Sequence, residues 1–395
     1  MRISTVTFQQ DAVGQMQQLE AAMSKTQNQL ATGSKLQSAA DGPAAMVQVN
    51  QLNVQISAST QYVTNGDSAS ANMKLEEQAL SDATNVLQSA RDLAVEANNP
   101  ALSTSQRGDI ATQLQQQLQQ LVSIANQRDS TGNYLFAGVA AGTQPFSQSG
   151  NTVNYSGATS VSQVQIAPNQ SVSSGDTGAA AFMNIPAGNG TFTTSVNVAN
   201  TGSGSIDAGT VTNPASWVPD TYTIAFTSPT AYQVTNSAGT VVTSGTNFTA
   251  GNSISFNGIQ VGITGNPAAG DQFTVAKAGT ASAFSTLSNL ITSLNTVTNP
   301  AQLANQIGNA IQQIDSAVTN LSNVSASVGA RLNSITATQS SAQTLQLNLQ
   351  TEVSQLSSVD YAAAVTDLNT EELSLKAAQQ SYASIAQLSL FNYIK

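Results

Sequence analysis

The chain has 395 residues, only 8% of them charged, with a formal net charge of −10 and neither cysteine nor histidine. Without these two residue types the chain lacks thiolate nucleophiles, zinc–thiolate sites and the commonest general base, so we expect no enzyme and no metal or cofactor site. Because the few Lys and Arg residues are not clustered, nucleic acid and anionic membranes are not expected partners.

The first residues predict no secretory signal. The segment from Met1 to Asp11 lacks the apolar stretch of about 7–15 residues that such a signal requires. No segment approaches the roughly 18 consecutive apolar residues of a membrane-spanning helix. The sequence therefore favours either a cytoplasmic protein or export by a route that does not read such a signal.

The first flank, about residues 1–135, is poor in Gly and Pro and predicts helices. Apolar residues recur there every seven positions, which is typical of coiled coils. These stripes are Met16, Met23 and Leu30; Val49, Ile56 and Val63; and Met73, Leu80, Leu87 and Ala94. After the break at Asn99-Pro100, Ser103 and Gln106 predict a capping box that starts a further helix.

The middle of the chain has a different composition. Residues 138–279 hold 19 of the 27 glycines and seven of the ten prolines, and no Lys or Arg lies between Arg128 and Lys277. Gly and Pro gather at turns, so this block predicts strands and loops. The Asn257-Gly258 pair, flanked by short apolar runs, is a strong hairpin signal.

We expect three parts within this middle block. A small hairpin near 133–160 would use Tyr134–Phe136 and Thr152–Tyr155 as its strands. A Gly/Ser-rich β region would follow at 161–216, and a β domain of sandwich or barrel type at 217–280.

The second flank, about residues 281–395, again predicts long helices. One seam position of its heptads is filled by Ile307, Ile314, Leu321, Val328, Ile335, Ala342, Leu349 and Leu356. The other seam position holds Ile311, Val318 and Leu332, with Ser325, Gln339 and Gln346 as polar interruptions.

Together these patterns predict an α+β multidomain fold. A long antiparallel helical, coiled-coil rod would form from both chain termini, with the all-β head inserted between them. We expect terminal coiled-coil helices at 1–40 and 360–395, and a helical rod domain at 41–140 and 281–359.

Side chains that could carry chemistry have plainer structural explanations. The adjacent carboxylates Glu76-Glu77 and Glu371-Glu372 point about 100° apart on a helix, and we expect them on solvated surface. Trp217, Tyr222 and Tyr232 could stack on a sugar, but aromatic residues in strands are more often core. A glycan-binding adhesive β module on a helical stalk therefore remains an alternative.

Several motifs carry a resemblance to a known family. The segment Leu30-Ala-Thr-Gly-Ser-Lys-Leu-Gln-Ser-Ala-Ala-Asp-Gly42 and the segment Gly329-Ala-Arg-Leu-Asn333 resemble the N- and C-terminal motifs of the flagellin family. Gly132-Asn-Tyr-Leu-Phe-Ala-Gly138 and Phe182-Met-Asn-Ile-Pro186 are similar to the hook-associated members of that family.

The resemblance implies a structural subunit of the bacterial flagellum that joins hook to filament by self-assembly through its terminal helices. Filament flagellin, a bulk polymer subunit, is the alternative within the family. The implied partners are further copies of the chain, hook-associated protein 1 and flagellin as neighbours, and a flagellar export chaperone. The implied location is extracellular, on the flagellum, after type III export without a cleaved signal peptide, and the termini would become ordered on assembly.

The apolar stripes that run to both ends suggest where subunits would meet. We expect Met16, Met23 and Leu30 to pair with Leu368, Leu375 and Tyr382 in the innermost layer. We expect Ile385, Leu388, Leu390 and Phe391 to contact the next subunit.

Overall fold

A computed structural model describes the backbone of residues 5–391 and the side chains of residue 7 and residues 9–384. Two compact units share this chain: a terminal unit from residues 1–64 and 339–395, and a central unit from residues 65–338. The helices are α1 (Thr5–Thr32), α2 (Pro43–Ala97), α3 (Thr104–Ala125), α4 (Ala283–Thr296), α5 (Pro300–Ser357) and α6 (Tyr361–Phe391). The predicted long helices in both flanks are confirmed.

Antiparallel strands occupy the middle of the chain, as the sequence predicts. They are β1 (Phe146–Ser149), β2 (Thr152–Tyr155), β3 (Gln163–Ala167), β4 (Gln170–Ser173), β5 (Ile185–Pro186), β6 (Phe192–Val196), β7 (Ser205–Ile206), β8 (Thr210–Val211), β9 (Thr221–Ser228), β10 (Ala231–Thr235), β11 (Val241–Gly245), β12 (Ser253–Phe256), β13 (Ile259–Thr264), β14 (Gln272–Lys277) and β15 (Thr280–Ala281).

The helical core of the central unit is built on the predicted heptads. The α5 positions Ile307, Ile314, Leu321, Val328 and Ile335 are each at most 1% exposed and pack with α2, α3 and α4. The capping box at the start of α3 is also present, since the Ser103 amide donates to Gln106 Oε1 over 2.9 Å. A cluster of aromatic rings forms part of this core; its members are Phe136, Phe146, Phe182 and Phe284.

Residues 192–277, which we call the head, form a β structure with a core of their own. One sheet has the order β11-β10-β9-β14-β6, and the other has the order β12-β13-β7 with β8 also paired to β13. The Asn257-Gly258 turn joins β12 to β13 as predicted, and both residues have positive φ, as a type I′ turn requires. Buried rings such as Tyr222, Phe226 and Phe273 fill the space between the sheets.

The predicted hairpin strand at Tyr134–Phe136 is wrong. Strand β2 pairs with β1, at Phe146–Ser149, in the register Phe146↔Tyr155. Phe136 is instead fully buried as part of the aromatic cluster, 5.1 Å from the ring of Phe182. Phe136 therefore packs in the core and does not belong to a strand. Aromatic residues between turns are consistent with either role, so the sequence pattern alone does not distinguish the two.

The predicted boundary at residue 217 also differs from the structure. Strand β6, from within the supposed Gly/Ser-rich region, pairs with β14 along its whole length, so the head begins at residue 192. Strands β3 and β4 belong instead to the helical core, where Ile166 and Val172 are buried. Pairing between strands about 80 residues apart decides which strands belong to the head. The local amino-acid composition does not encode that pairing.

One predicted surface carboxylate is buried. Glu76 is only 1% exposed, and its Oε1 accepts a hydrogen bond from the backbone N–H of Asp176 over 2.9 Å. Arg331 on α5 forms an ion pair with Asp176 and donates to the Gly175 carbonyl. The three side chains thus tie the segment after β4 to both α2 and α5.

The environment of Glu76 favours its neutral form. Burial is the main cause that raises its pKa from 4.5 to about 8, and the Asp176 carboxylate raises it further, while Arg331 opposes the shift. A carboxyl group whose pKa is raised by folding stabilises the fold below its ordinary pKa. That contribution is lost as the pH rises towards the folded value.

We therefore expect Glu76→Gln to change how stability depends on pH. The neutral amide keeps an acceptor for the Asp176 N–H, so the variant should not lose stability between pH 4.5 and about 8 as the wild type does. Chemical denaturation at pH 5 and pH 9 should show a relative gain for the variant on the order of 2–4 kcal/mol at the higher pH. The exposed neighbour Glu77→Gln is the control. Equal pH profiles for all three proteins would contradict the assignment.

Candidate assembly interface

Helices α1 and α6 pack against each other in the terminal unit. The two helices run antiparallel, because the residues just after the end of α1 are bonded to those just before the start of α6. The Lys35 amide donates to the Ser357 carbonyl over 2.7 Å, and the Val359 amide donates to the Gly33 carbonyl over 3.0 Å. Gly33 has a φ of 71°, and a Cβ there would lie 3.0 Å from Tyr361 Oη. Glycine at the end of α1 is therefore favoured for a steric reason as well as a conformational one.

The predicted interface residues lie on these two helices. Met16, Met23 and Leu30 are half-buried on α1. Leu375 on α6 is 9% exposed, whereas Leu368 and Tyr382 are half-buried. The structure thus brings the two helices of the predicted set together; which side chain pairs with which remains a prediction. Ile385, Leu388, Leu390 and Phe391 lie outside the residues whose side chains are described.

A polar pair interrupts the contact between α1 and α6. The Thr26 hydroxyl, on a residue only 8% exposed, donates to Glu371 Oε1 over 3.3 Å. The other carboxylate oxygen, Glu371 Oε2, is buried and has no hydrogen-bond partner among the residues that the structure describes. The predicted solvated position of Glu371 is therefore only partly right, because one of its oxygens is withdrawn from water.

The polar interruptions predicted in the α5 seam bond across to α2. Gln339 Nε2 donates to the Val63 carbonyl over 3.1 Å, and Gln346 Nε2 donates to Thr60 Oγ1 over 2.8 Å. From α2, the Ser59 hydroxyl donates to the Ala342 carbonyl over 3.2 Å. Such bonds are satisfied in one register of the two helices only, so they specify how α2 and α5 align.

The terminal unit also leaves many large apolar side chains in solvent, and most of them lie outside the predicted seam positions. Thirteen described large hydrophobic residues are strongly exposed, and eight of them belong to this smaller unit. These eight are Val13, Val47, Val54, Leu345, Leu347, Tyr361, Val365 and Leu373. We call them the exposed apolar set. No helix in the described part of the chain is both long enough and apolar enough to cross a bilayer.

A signal for this set was present in the sequence. Leu345, Leu347 and Leu349 alternate with polar residues, and on a helix positions two apart cannot share one face. Leu349 fills the seam and is 7% exposed, whereas Leu347 is 63% exposed. Apolar residues off the seam of a predicted coiled coil therefore mark a second apolar surface.

One carboxylate organises part of the loop between α1 and α2. Asp41 Oδ2 accepts hydrogen bonds from the amides of Ser38 and Gln37, over 2.7 and 3.0 Å. Its Oδ1 lies 2.6 Å from Lys25 Nζ on α1. The hydrogen bond from Lys25, followed by that from the Ser38 amide, lowers the pKa of Asp41 from 3.8 to about 2. This loop, part of the motif that resembles flagellins, is thus internally ordered.

The aromatic residues of the alternative glycan site, Trp217, Tyr222 and Tyr232, pack in or against the core of the head. Tyr222 is 1% exposed and its hydroxyl donates to the Val218 carbonyl over 2.7 Å. Trp217 packs between Phe192 and Tyr222, with centroid distances of 5.7 and 5.8 Å. Tyr232 packs against the same core. Tyr222 has no free ring face to offer a sugar.

Three family models match the chain. Residues 3–141 match the bacterial flagellin N-terminal helical region, and residues 311–394 match the bacterial flagellin C-terminal helical region. Residues 195–277, nearly the whole head, match the D2-like domain of flagellar hook-associated protein 1.

Individual relatives point to one branch of that family. Flagellar hook-associated protein 3 of Salmonella typhimurium is 32% identical over 185 residues, which span 47% of this chain and 58% of that protein. The crystal structure of FlgL from Xanthomonas campestris is 31% identical with a TM-score of 0.72, covering 77% of this chain and 99% of that one. For hook-associated protein 3 from Legionella pneumophila the values are 30%, 0.73, 78% and 98%.

Replacing Asp41 should loosen the loop locally. In Asp41→Ala the amides of Gln37 and Ser38 lose a charged acceptor, and we expect their hydrogen exchange to accelerate about tenfold or more. Because the pKa of Asp41 is lowered by folding, this protection should be present in the wild type above pH 3.8 and decline as the pH falls towards 2. Asp11→Ala, at an exposed position on α1, is the matched control. Unchanged exchange at both amides would refute the role given to Asp41.

Proposed function

Because this chain belongs to the hook-associated protein 3 branch of the flagellin family, we propose that it is a structural subunit of the bacterial flagellum that joins the hook to the filament. The observation that carries the proposal is the exposed apolar set on the terminal unit. Large apolar side chains left in solvent are stabilised when they are buried against another chain.

The size of this effect is comparable with part of the free-energy cost of association. Full burial of one Leu or Val side chain contributes about 1.5–3 kcal/mol, and seven of the eight residues of the set are Leu or Val. Partial burial of the set against neighbours would therefore offset a substantial part of the entropy lost on association. The low content of charged residues, 8%, limits the desolvation that packing many copies requires.

The predicted contacts of α1 and α6 form part of this proposal. Met16, Met23 and Leu30, with Leu368, Leu375 and Tyr382, would line the innermost layer of the assembly. Ile385, Leu388, Leu390 and Phe391 would reach the next subunit. An unpaired buried carboxylate oxygen is unfavourable, so Glu371 Oε2 would gain from a donor on a neighbouring chain.

The partners follow from the same membership. Copies of the chain would form a ring by a repeated heterologous contact, one layer of a tube. Hook-associated protein 1 on the hook side and flagellin on the filament side would be its neighbours. A flagellar export chaperone would hold the chain before type III export to the outside of the cell.

Filament flagellin is the second candidate, because the matched flanks are flagellin helical regions. The head favours the junction protein, since it matches a domain of hook-associated protein 1. The structural similarity to FlgL also extends over 99% of the Xanthomonas chain.

Folding and assembly should be separable by substitution. Leu373 is 70% exposed, so Leu373→Glu should change the free energy of unfolding of the monomer by no more than about 0.5 kcal/mol. In the assembled state the same charge would lie in an apolar contact, and cells producing only this variant should lack filaments. Electron microscopy and thermal unfolding of the purified chain measure the two effects.

Val198→Glu is the control for that experiment, because Val198 is 79% exposed but lies in the head. It should leave both monomer stability and filament formation intact. Normal filaments on cells producing Leu373→Glu would contradict the assignment of the exposed apolar set to assembly.

The position of the protein on the organelle tests the function directly. We expect gold-labelled antibody against residues 192–277 to mark a narrow band at the distal end of each hook. Label along the entire filament would show that the chain is a filament flagellin.

A further inference from the structure

The head and the helical core of the central unit do not share hydrophobic packing. The buried residues of residues 192–277 form one cluster, and those of the helices and β1–β5 form another. The covalent connection is a two-chain neck, in which the Ala187 amide donates to the Gly279 carbonyl over 3.0 Å and β5 pairs with β15. A neck of two chains alone would leave the head free to hinge.

A row of side-chain amides on α5 provides the missing attachment. Each donates to a backbone carbonyl: Gln302 to Val198 (2.9 Å), Asn305 to Ile206 (2.5 Å), Asn309 to Thr194 (3.0 Å) and Gln313 to Pro186 (3.2 Å). The row continues towards the C-terminal end of α5 with Asn320, which donates to the Ala181 carbonyl over 2.8 Å. We call these five residues the amide stripe. Their spacing of three, four or seven residues places them on one face of the helix.

Three of the five residues of the stripe are buried, which makes their bonds hard to replace. Gln302, Asn305 and Gln313 are 8%, 4% and 9% exposed. An amide withdrawn from water to this extent is unfavourable unless it is bonded, so undocking the head would break several bonds together. The segment that contains Val198 is also attached to the head sheet. Asn200, two residues after Val198, exchanges two 2.8 Å hydrogen bonds with the backbone of Gln272 in β14.

Close packing does not explain the docking. An open cavity of about 620 Å³ lies between the head, α4 and α5 and is lined by residues such as Thr193, Val198, Asn289 and Gln306. Dispersion attraction requires atoms in contact, so a contact that contains a cavity gains less from it. The orientation of the head is then fixed by directional hydrogen bonds.

We propose that the amide stripe of α5 fixes the direction of the head, and that it does so by binding the head's backbone rather than its side chains. The recognised groups are the carbonyls of the neck and of the loops and strands between residues 186 and 206. Because every residue supplies a carbonyl, the head surface can vary in sequence while its orientation relative to α5 is kept.

The chain has no cysteine, so two introduced thiols can carry spin labels without further changes. Thr240→Cys in the head and Thr319→Cys on α5 are both at exposed positions within the central unit. In the full chain, double electron–electron resonance should give one narrow distance distribution. Adding Asn305→Asp and Asn309→Asp keeps the side-chain shape but removes the donors, and should broaden the distribution at least about twofold.

Gln306→Ala and Gln312→Ala form the matched control. These amides lie on the same helix and line the cavity, but neither side chain has a hydrogen-bond partner in the described part of the chain. Val198→Ala is a control on the head side, because that residue contributes its carbonyl and its side chain is 79% exposed. All three substitutions should leave the distribution narrow.

Fluorescence of Trp217, which packs between Phe192 and Tyr222, reports whether the head is still folded. Broadening with unchanged Trp217 emission is the expected result. A narrow distribution in the Asn305→Asp, Asn309→Asp variant would overturn the proposal, as would equal broadening in the Gln306→Ala, Gln312→Ala control. Loss of the folded Trp217 signal would overturn it too, because a head with its own core should not need α5 in order to fold.

Discussion

The packing of α5 against partners far away in sequence is the constraint on which the other features depend. Its seam residues, such as Ile314 and Val328, are fully buried among helices from the opposite flank. Closing a contact over more than 200 residues carries an entropic penalty that grows only slowly with loop length, and burial of a long apolar seam offsets it. Once the seam is formed, everything between the flanks becomes an insertion whose two ends lie together.

Helix α5 uses different chemistry on different faces. Its apolar seam drives association, and polar seam residues such as Gln339 and Gln346 set the register by bonding to α2. The amides at positions such as 302 and 309 bond to backbone carbonyls of the head. Exposed Leu345 and Leu347 remain available for other chains. One helix therefore supplies the core, the alignment, the head attachment and part of the proposed assembly surface.

Few residues of this chain are charged. Several of the charged side chains hold segments together through ion pairs or hydrogen bonds. Asp41 orders the loop after α1, and Arg331 with Asp176 and Glu76 ties a segment to two helices. In a chain with 8% charged residues, fewer charges than in an ordinary domain would repel one another in the proposed stack of copies. The same scarcity leaves neutral amides and hydroxyls to provide most of the polar specificity.

The sequence by itself determined the helical flanks, the inserted β block, the seam positions and the family, because heptads, turns and motifs are local patterns. Only the tertiary structure decided that Phe146 rather than Tyr134 begins the hairpin, that the head starts at residue 192, and that Glu76 is buried. Each of these depends on which distant segment lies opposite, and a residue's own neighbours in the chain do not encode that. The exposed apolar set is intermediate: its residues are visible in the sequence, but the packed helices show which faces remain uncovered.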